Sequence, residues 1–476
     1  MTASPQRSGL WTKLWSYARF EGSSGEKGSL IFALSLYNRP MSPFSRRIWA
    51  LAIPLILSNL TQPLLSTVDT VLSGHLPGAA ALGGVAMGGI FFNAVFWSFA
   101  FLRMGTTGLV AQAHGARDAH QLRLHFARAL LMALAIGAVI LLAQRPLVAV
   151  AMQLLGGSAE VQSNARIYCL IRIWSAPAAL SGYAILGYLL GRQQARMALL
   201  LQAAINLINV SLALWMVIGL HRGVAGIATA TMLSDWAGFL LGLLLIWHSW
   251  PQAGTGRAPW AGLLDGRSLR HLIALNRDIL LRTASLVFVF AWFTRTGARL
   301  GDATLAANAV LINLHLLASY ALDGFANATE ALTGEAVGAH RRQDYQSVLR
   351  ASTSIAFAVA ALIALFYALA GTHLLALYSS NPAVLQAARN FLPWAVALPL
   401  LSVLGYQLDG VFIGATRARE LRDSMMLAVA SFLLLELVLG DLWGNQGLWA
   451  AFALFQLLRG LLLALRLPRV EKVLFA

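Results

Sequence analysis

The sequence predicts an all-α polytopic membrane protein with about twelve transmembrane helices in two pseudo-symmetric six-helix bundles. Three observations lead there. First, 58% of the residues are hydrophobic and 11% are charged, where soluble domains carry about 25% charged residues. The mean hydropathy is +0.68. Second, the apolar runs extend over ~20–25 residues, enough for a membrane-crossing helix, and not over the ~10 alternating residues of a barrel strand. Third, short motifs recur at a nearly constant offset. The net charge of +16 comes almost wholly from arginine and fits charged loops on one membrane face rather than a nucleic-acid surface. The single cysteine, Cys169, cannot form an intrachain disulfide and reads as packing in an apolar run.

Residues 1–45 read as an N-terminal cytoplasmic extension without stable structure, or as the product of an upstream start codon with Met41 as the true first residue. In this stretch Gly9–Ala18 is weakly amphipathic, Glu21–Ser29 is a Gly/Ser-rich linker, and Leu30–Leu36 is too short to span. The layout of a cleavable signal is absent. Residues 46–248 form a first lobe with spans near 47–73, 84–112, 123–144, 161–190, 196–219 and 224–248. Residues 249–270 form an inter-lobe loop rich in proline and glycine. Residues 271–476 form a second lobe and a short tail, with spans near 271–296, 303–337, 348–370, 384–414, 423–441 and 447–467. The connections after the even-numbered spans hold most of the loop arginines, among them Arg117, Arg192, Arg257, Arg341, Arg342 and Arg417. The positive-inside rule then places those connections and both termini in the cytoplasm.

The repeat follows the same division. Gly223–Ala228 opens span six and Gly447–Phe452 opens span twelve. GRQQAR (Gly191–Arg196) follows span four and GATRAR (Gly414–Arg419) follows span ten. Gln112–Arg117 after span two resembles Val337–Arg342 after span eight. Two halves with an even number of spans each have the same topology, and substrate binds between such lobes. This organisation points to a transporter rather than an enzyme, receptor or channel. No catalytic constellation stands out, and His114, His120 and His125 lack a metal-ligand pattern. There is no GxxxxGK[ST] motif, so an ion gradient must supply the energy.

Intramembrane polar residues mark the candidate site. In span one Asn59, Gln62, Ser66 and Asp69 form one helical stripe that ends in a carboxylate. An Asp in a membrane helix costs about 2.5–3.5 kcal/mol on insertion scales, so it is a functional candidate. Pro54 and Pro63 remove backbone donors and can act as kink points. Arg103 and Arg172 either tether Asp69 or bind anionic ligand groups. Asn206 and Asn209, three apart on span five, hydrogen-bond either substrate or a neighbouring helix. Asp278 and Arg282 have the spacing of a helical ion pair. Asp323 and Glu330 share a face of span eight, and with Asp278 and Asp409 they form an acidic cluster towards the cytoplasm, read either as a transport site or as a charge network. Asp235, Glu436 and Arg459 stand alone on plain helices and read as structural.

Several segments together carry a resemblance: PLLSTVDTVLSGHL (Pro63–Leu76), FLRMGTTGLVAQAHGA (Phe101–Ala116), IALNRDILLR (Ile273–Arg282), YALDGFANATEA (Tyr320–Ala331) and YQLDGVFIGATRARELRDS (Tyr406–Ser424). From about Arg46 onward, the chain resembles the DinF-like branch of the multidrug and toxic compound extrusion (MATE) family. The resemblance implies export of small amphipathic or cationic compounds in exchange for H⁺ or Na⁺, by alternating access, with no cofactor. It carries the first-lobe coupling carboxylate over to Asp69, the acidic residue of the tenth helix to Asp409, and the neighbouring asparagine to Asn209. Related members often hold an Asp four residues after that asparagine, where this chain has Ala213. A lone Asp leans towards a proton and away from Na⁺. The seventh-helix Glu of another branch has Asp278 as its nearest substitute. The expectation is therefore a monomeric, proton-coupled multi-pass exporter of the bacterial inner membrane, whose partners are a small-molecule substrate and the lipid bilayer and not nucleic acid. The rival readings are a lipid-linked oligosaccharide flippase of the same superfamily and a membrane-embedded enzyme.

Overall fold

The structure is a computed structural model that describes residues 42–76, 78–250 and 262–476, and their side chains except those of residues 62–66. The N-terminal stretches Gly9–Ala18 and Leu30–Leu36 and the middle of the 249–270 connection lie outside the described residues. The described chain is helical, with no strand among these residues. The first half comprises α1 (Pro43–Gly74), α2 (Ala79–Ser98), α3 (Phe101–Gly115), α4 (Ala119–Leu142), α5 (Gln144–Leu155), α6 (Ala159–Arg172), α7 (Ala176–Gly191), α8 (Ala195–Leu214) and α9 (Gly223–His248). The second comprises α10 (Gly266–Arg299), α11 (Asp302–Gly338), α12 (Arg342–Tyr378), α13 (Pro382–Gly414), α14 (Ala418–Trp443) and α15 (Asn445–Leu474).

Each expected span corresponds to one of these helices or to a broken pair. Span two is α2 and α3, interrupted at Phe99–Ala100. Span four is α6 and α7, joined by a 3₁₀ turn at Ile173–Ser175, with Pro177 pre-setting the first turn of α7. Span five ends in a π turn, Trp215–Gly219. Helix α5 was not expected; it occupies what the sequence reads as a connection. Ten of the described helical segments are long and apolar enough to cross a membrane. Helices α1 and α10, spans one and seven, fall outside that set, and both carry polar residues along their length.

These two helices lie against the opposite half. Helix α1 packs on α11: Trp49 meets Phe325 edge-on at 5.1 Å, and Asn59 Nδ2 donates to the Tyr320 carbonyl at 3.2 Å. Helix α10 packs on α3, where Leu272, Leu275 and Ile279 join the core of the first half. Lipid tails are as apolar as these side chains, so close packing and interhelical hydrogen bonds hold such contacts.

The repeat is visible where the two halves meet. The matching caps at Arg117 and His340 shift the third motif match by two residues, so residues 112 and 335, 115 and 338, and 193 and 416 are the repeat-equivalent positions. A Cβ on Gly115 would stand 2.1 Å from the Glu335 carbonyl oxygen, and one on Gly338 would stand 1.9 Å from that of Gln112. Gln112 Nε2 donates to Thr416 Oγ1 at 3.2 Å, and Gln193 Nε2 donates to Glu335 Oε2 at 2.6 Å. Each contact is the other's counterpart, the signature of packing about a two-fold axis. Arg103 donates to Asn327 of α11, beside its own repeat mate Ala326, at 3.0 Å.

The repeated loop motifs have a structural reason. Arg117, Gln193, His340 and Thr416 have φ between 52° and 60°, the left-handed conformation that ends a helix. In each case the next amide reaches back five residues, as Asp118 does to Ala113 and Arg417 to Phe412. This 6→1 bond closes a Schellman cap. The sharp turns gather the ends of α3, α7, α11 and α13 on the arginine-rich face.

Candidate functional site

Three groups of polar residues lie inside the body. The first is built on α1, α6 and α9. Asp69 stands five residues before the end of α1. Its Oδ1 is shielded from solvent and has no hydrogen-bond partner among the described residues. The basic residue in electrostatic range of it is Arg172, the last residue of α6 before the 3₁₀ turn. Arg172 donates to the Tyr168 hydroxyl at 2.7 Å and lies over the Phe92 ring at 4.7 Å. It also lies within electrostatic range of Asp235 on α9.

The second group is built on α10, α13 and α15. Both Arg282 and Arg459 ion-pair with Asp409 Oδ2, the latter at 2.5 Å. All three side chains are buried: Asp409 is 5% exposed, Arg282 6% and Arg459 2%. Arg459 also donates to Gln456, which lies 3.0 Å from the His315 ring. Asp409 is thus neutralised inside the second half.

The third group joins the halves. Arg103 on α3 contacts Glu330 on α11 at 4.0 Å as well as Asn327. Asp323 lies within electrostatic range of Arg103, Arg282, Arg459 and Asp409. The two latter groups together hold three acids, Asp323, Glu330 and Asp409, and three arginines, Arg103, Arg282 and Arg459. Their formal charges cancel.

Several expectations are corrected. Asp278 and Arg282 do not pair with each other. Asp278 bonds Arg422 of α14 at 2.7 Å and its neighbour Arg277 at 3.0 Å, and Arg282 reaches Asp409. One helix turn separates them, but they serve different neighbouring helices, and the spacing rule describes only an isolated helix surface. Glu330 does not face the cytoplasm with Asp278; it is fully buried beside Arg103. Arg459 and Glu436 do not stand alone, since Glu436 accepts from Trp292 Nε1 at 3.1 Å and from Thr296 at 3.3 Å. Asn209 takes the interhelical role, donating to Thr231 and Ser234 of α9, each at 3.1 Å. Asn206 accepts from Gln202 on its own helix at 3.1 Å. Pro54 lies within α1. Gln62 and Pro63 fall among the residues whose side chains are not described. A groove of about 560 Å³ between α12 and α13, lined by Ala368, Arg389, Pro393 and Leu400, contains none of the predicted site residues.

Sequence reasoning missed Arg459 and Arg422 as partners because ion pairs between distant helices leave no local pattern. A signal did exist for Arg459. It lies one turn after Gln456 on a helix otherwise free of charge between Asn445 and Leu465, where a buried arginine demands an acid.

Comparison with known proteins places this geometry in a family. The MatE family model matches residues 54–215 and 279–441, two stretches whose starts are separated by nearly the offset of the repeated motifs. The chain is 44% identical to DNA damage-inducible protein F of Escherichia coli K12 over 423 residues, covering 88% of this chain and 91% of that protein. It is 25% identical to the probable multidrug resistance protein NorM of Xanthomonas campestris over 454 residues, covering 90% and 94%. Among solved structures, a MATE in the bent conformation superimposes with a TM-score of 0.81 at 18% identity, covering 92% of this chain and all of that one. The members are transporters and not enzymes. The chain belongs to the MatE family as a multi-pass membrane transporter of multidrug type.

Proposed function

We propose that the chain is a secondary active antiporter that exports small amphipathic or cationic compounds in exchange for H⁺. It works as a monomer in a bacterial inner membrane, with both termini cytoplasmic. The observation that carries this reading is the contrast at Asp69. Among the described residues Asp69 has one arginine in electrostatic range, while Asp409 ion-pairs with two; the Oδ1 of each acid lacks a hydrogen-bond partner among them. A transport switch must change its charge without dismantling the fold, and Asp69 is the acid placed to do so.

In this mechanism ionised Asp69 draws Arg172 towards α1 and keeps a substrate-competent cavity. A proton arriving from the outer side neutralises Asp69, frees Arg172 and lets α1 repack about Pro54 and Pro63, which releases substrate. The proton leaves to the cytoplasm when the lobes alternate. Asp409 is then a pin within the second half and not a coupling group. The second and third groups hold as many acids as arginines and the first holds more acids, which favours small-compound export over a flippase, whose anionic cargo calls for a cationic cavity.

The test is ethidium transport in proteoliposomes driven by an imposed pH gradient. The Asp69→Asn chain is expected to lose uncoupler-sensitive transport while still binding dye. Full pH-driven transport by Asp69→Asn would remove the basis of the reading.

A further inference from the structure

The groove between α12 and α13 holds none of the transport-site residues, and its lining has a pattern of its own. Arg389, Pro393, Val396 and Leu400 recur at intervals of four, three and four, so they share one face of α13. Ala368 of α12 and Ala397 of α13 complete the walls, and these small side chains leave a volume of about 560 Å³. From Arg389 to Leu400 the stripe runs about 16 Å, at 1.5 Å per residue. One leaflet of hydrocarbon is about 15 Å thick, half of a ~30 Å core. The apolar part of the groove therefore has the length of one lipid chain.

The charge stands at one end of that stripe. Arg389 lies about 10 Å along α13 from Pro382, at the end away from the arginine-rich face. Its side chain is exposed. The acids of α12 and α13 are taken elsewhere: Asp344 pairs with Arg341, and Asp409 with Arg282 and Arg459. Neither helix gives Arg389 a counter-charge. Trp394, just below it, donates to Gln446 at 2.7 Å, and Trp443 at the end of α14 is exposed. Such tryptophans mark the level of the lipid headgroups. The first half provides a contrast. Helices α4 to α7 begin and end in step with α12 and α13, so Arg166 corresponds to Arg389. It is exposed as well. The mates of Val396 and Leu400, however, are Ile173 and Pro177, and both are buried. A Cβ on Gly137 of α4 would stand 2.5 Å from the Pro177 Cα. The same cation there has a packed helix beneath it, and Arg389 has a groove.

We propose that the α12–α13 groove binds an anionic diacyl phospholipid, with the headgroup phosphate on Arg389 and one acyl chain along Pro393, Val396 and Leu400. A guanidinium at headgroup depth attracts an anionic lipid and contacts its phosphate through directed N–H donors. The same charge repels a cationic compound, so the groove is not a lateral entrance for cargo of that class. The site faces the membrane side opposite the arginine-rich face, which is the outer leaflet when both termini are cytoplasmic. Lipid binding itself is independent of the antiport reading.

The experiment uses the full chain in detergent and native mass spectrometry to follow the first bound lipid. Palmitoyl-oleoyl phosphatidylglycerol is compared with phosphatidylcholine of the same chains. The parent is expected to bind the phosphatidylglycerol about fivefold more tightly, the effect of one basic residue at an anionic lipid surface. Arg389→Ala should lose this preference, and Arg389→Lys should keep most of it. Arg166→Ala, which removes the matching cation without a groove, should behave as the parent. Ala397→Leu fills the groove and leaves the cation in place, and it should weaken both lipids. If that variant does not fold, Ala368→Leu, at an exposed position, carries the same test. Parent-like preference in Arg389→Ala, or no preference in the parent, overturns the proposal. So does an equal loss in Arg166→Ala, which would make the attraction a diffuse surface charge. Undiminished binding by the groove-filling variant, or displacement of the lipid by glycerol 3-phosphate, would also overturn it, since the acyl chain would then contribute nothing.

Discussion

The two halves of the chain share a backbone plan and differ in how they treat an acid in the membrane. In the second half, Asp409 is fixed between Arg282 and Arg459, all three buried. In the first, the basic residue in electrostatic range of Asp69 among the described residues is Arg172, itself in range of Asp235. The repeat mate of Asp69 is Phe293, which packs against Trp449 at 4.8 Å. Duplication supplied the frame, and the charges diverged on it. A carboxylate with two cations contributes rigidity, and one with an incomplete set can respond to the medium. On the proposed reading, anchoring falls to the second half and switching to the first.

The largest expected effect breaks the anchor. Asp409→Ala leaves two buried guanidinium groups without their acid, which costs about 3–5 kcal/mol. The protein should lose most of its thermal stability in detergent, read by size-exclusion after heating. Asp69→Ala should leave that stability nearly unchanged, since it removes an acid with one arginine in range and not one paired to two. Equal destabilisation by the two substitutions would erase the distinction between the halves.

The next effect tests their common frame. Gly115→Ala and Gly338→Ala both push a methyl group into backbone on the opposite half. Each should cost about 1–3 kcal/mol by overpacking. Because the positions are repeat mates, the two penalties should match, and a large effect at only one of them would show that the crossing is not symmetric in energy.

A smaller effect is expected at the arginine-rich face. Arg47 pairs with Glu335, which also accepts from Gln193 and Arg341. The Arg47 side chain is 42% exposed, so solvent screens the pair. Glu335→Gln should cost at most about 1 kcal/mol, less at high salt. It should, however, change the balance between conformations, because it loosens a tie between the halves. The smallest effect concerns the entry to the second half. Asp265 caps α10 by accepting from the Ser268 amide at 2.8 Å, and this bond holds its carboxyl below its ordinary value of 3.8. The cap is complete above that value and fades as pH falls through the lower folded-state value. Asp265→Ala should speed amide exchange in the first turn of α10 and leave transport as it was.

Much of this frame was legible in the sequence. Apolar length located ten of the spans among the described helices, and the recurring loop motifs turned out to be left-handed caps, so local chemistry was readable. The helix breaks at Phe99–Ala100 and Ile173–Ser175 were not, because neither leaves the apolar pattern. Asp69 stood out by being polar in the wrong medium. The partners of Asp409 did not, since Arg282 lies 127 residues away and Arg459 lies 50 away. The i,i+4 pairing expected for Asp278 and Arg282 failed for the same reason: in a bundle, the nearest helix competes with the helix's own face.

The central claim is that Asp69 moves the proton. Its most direct test is the pH inside proteoliposomes, followed with trapped pyranine while an ethidium gradient drives the transporter in reverse. The parent chain and a stable second-half variant such as Glu335→Gln should move protons against the dye flux. Asp69→Asn should pass none above the background of empty liposomes. Proton flux by Asp69→Asn at the parent's rate, or dye movement by the parent with no proton signal, would contradict the account.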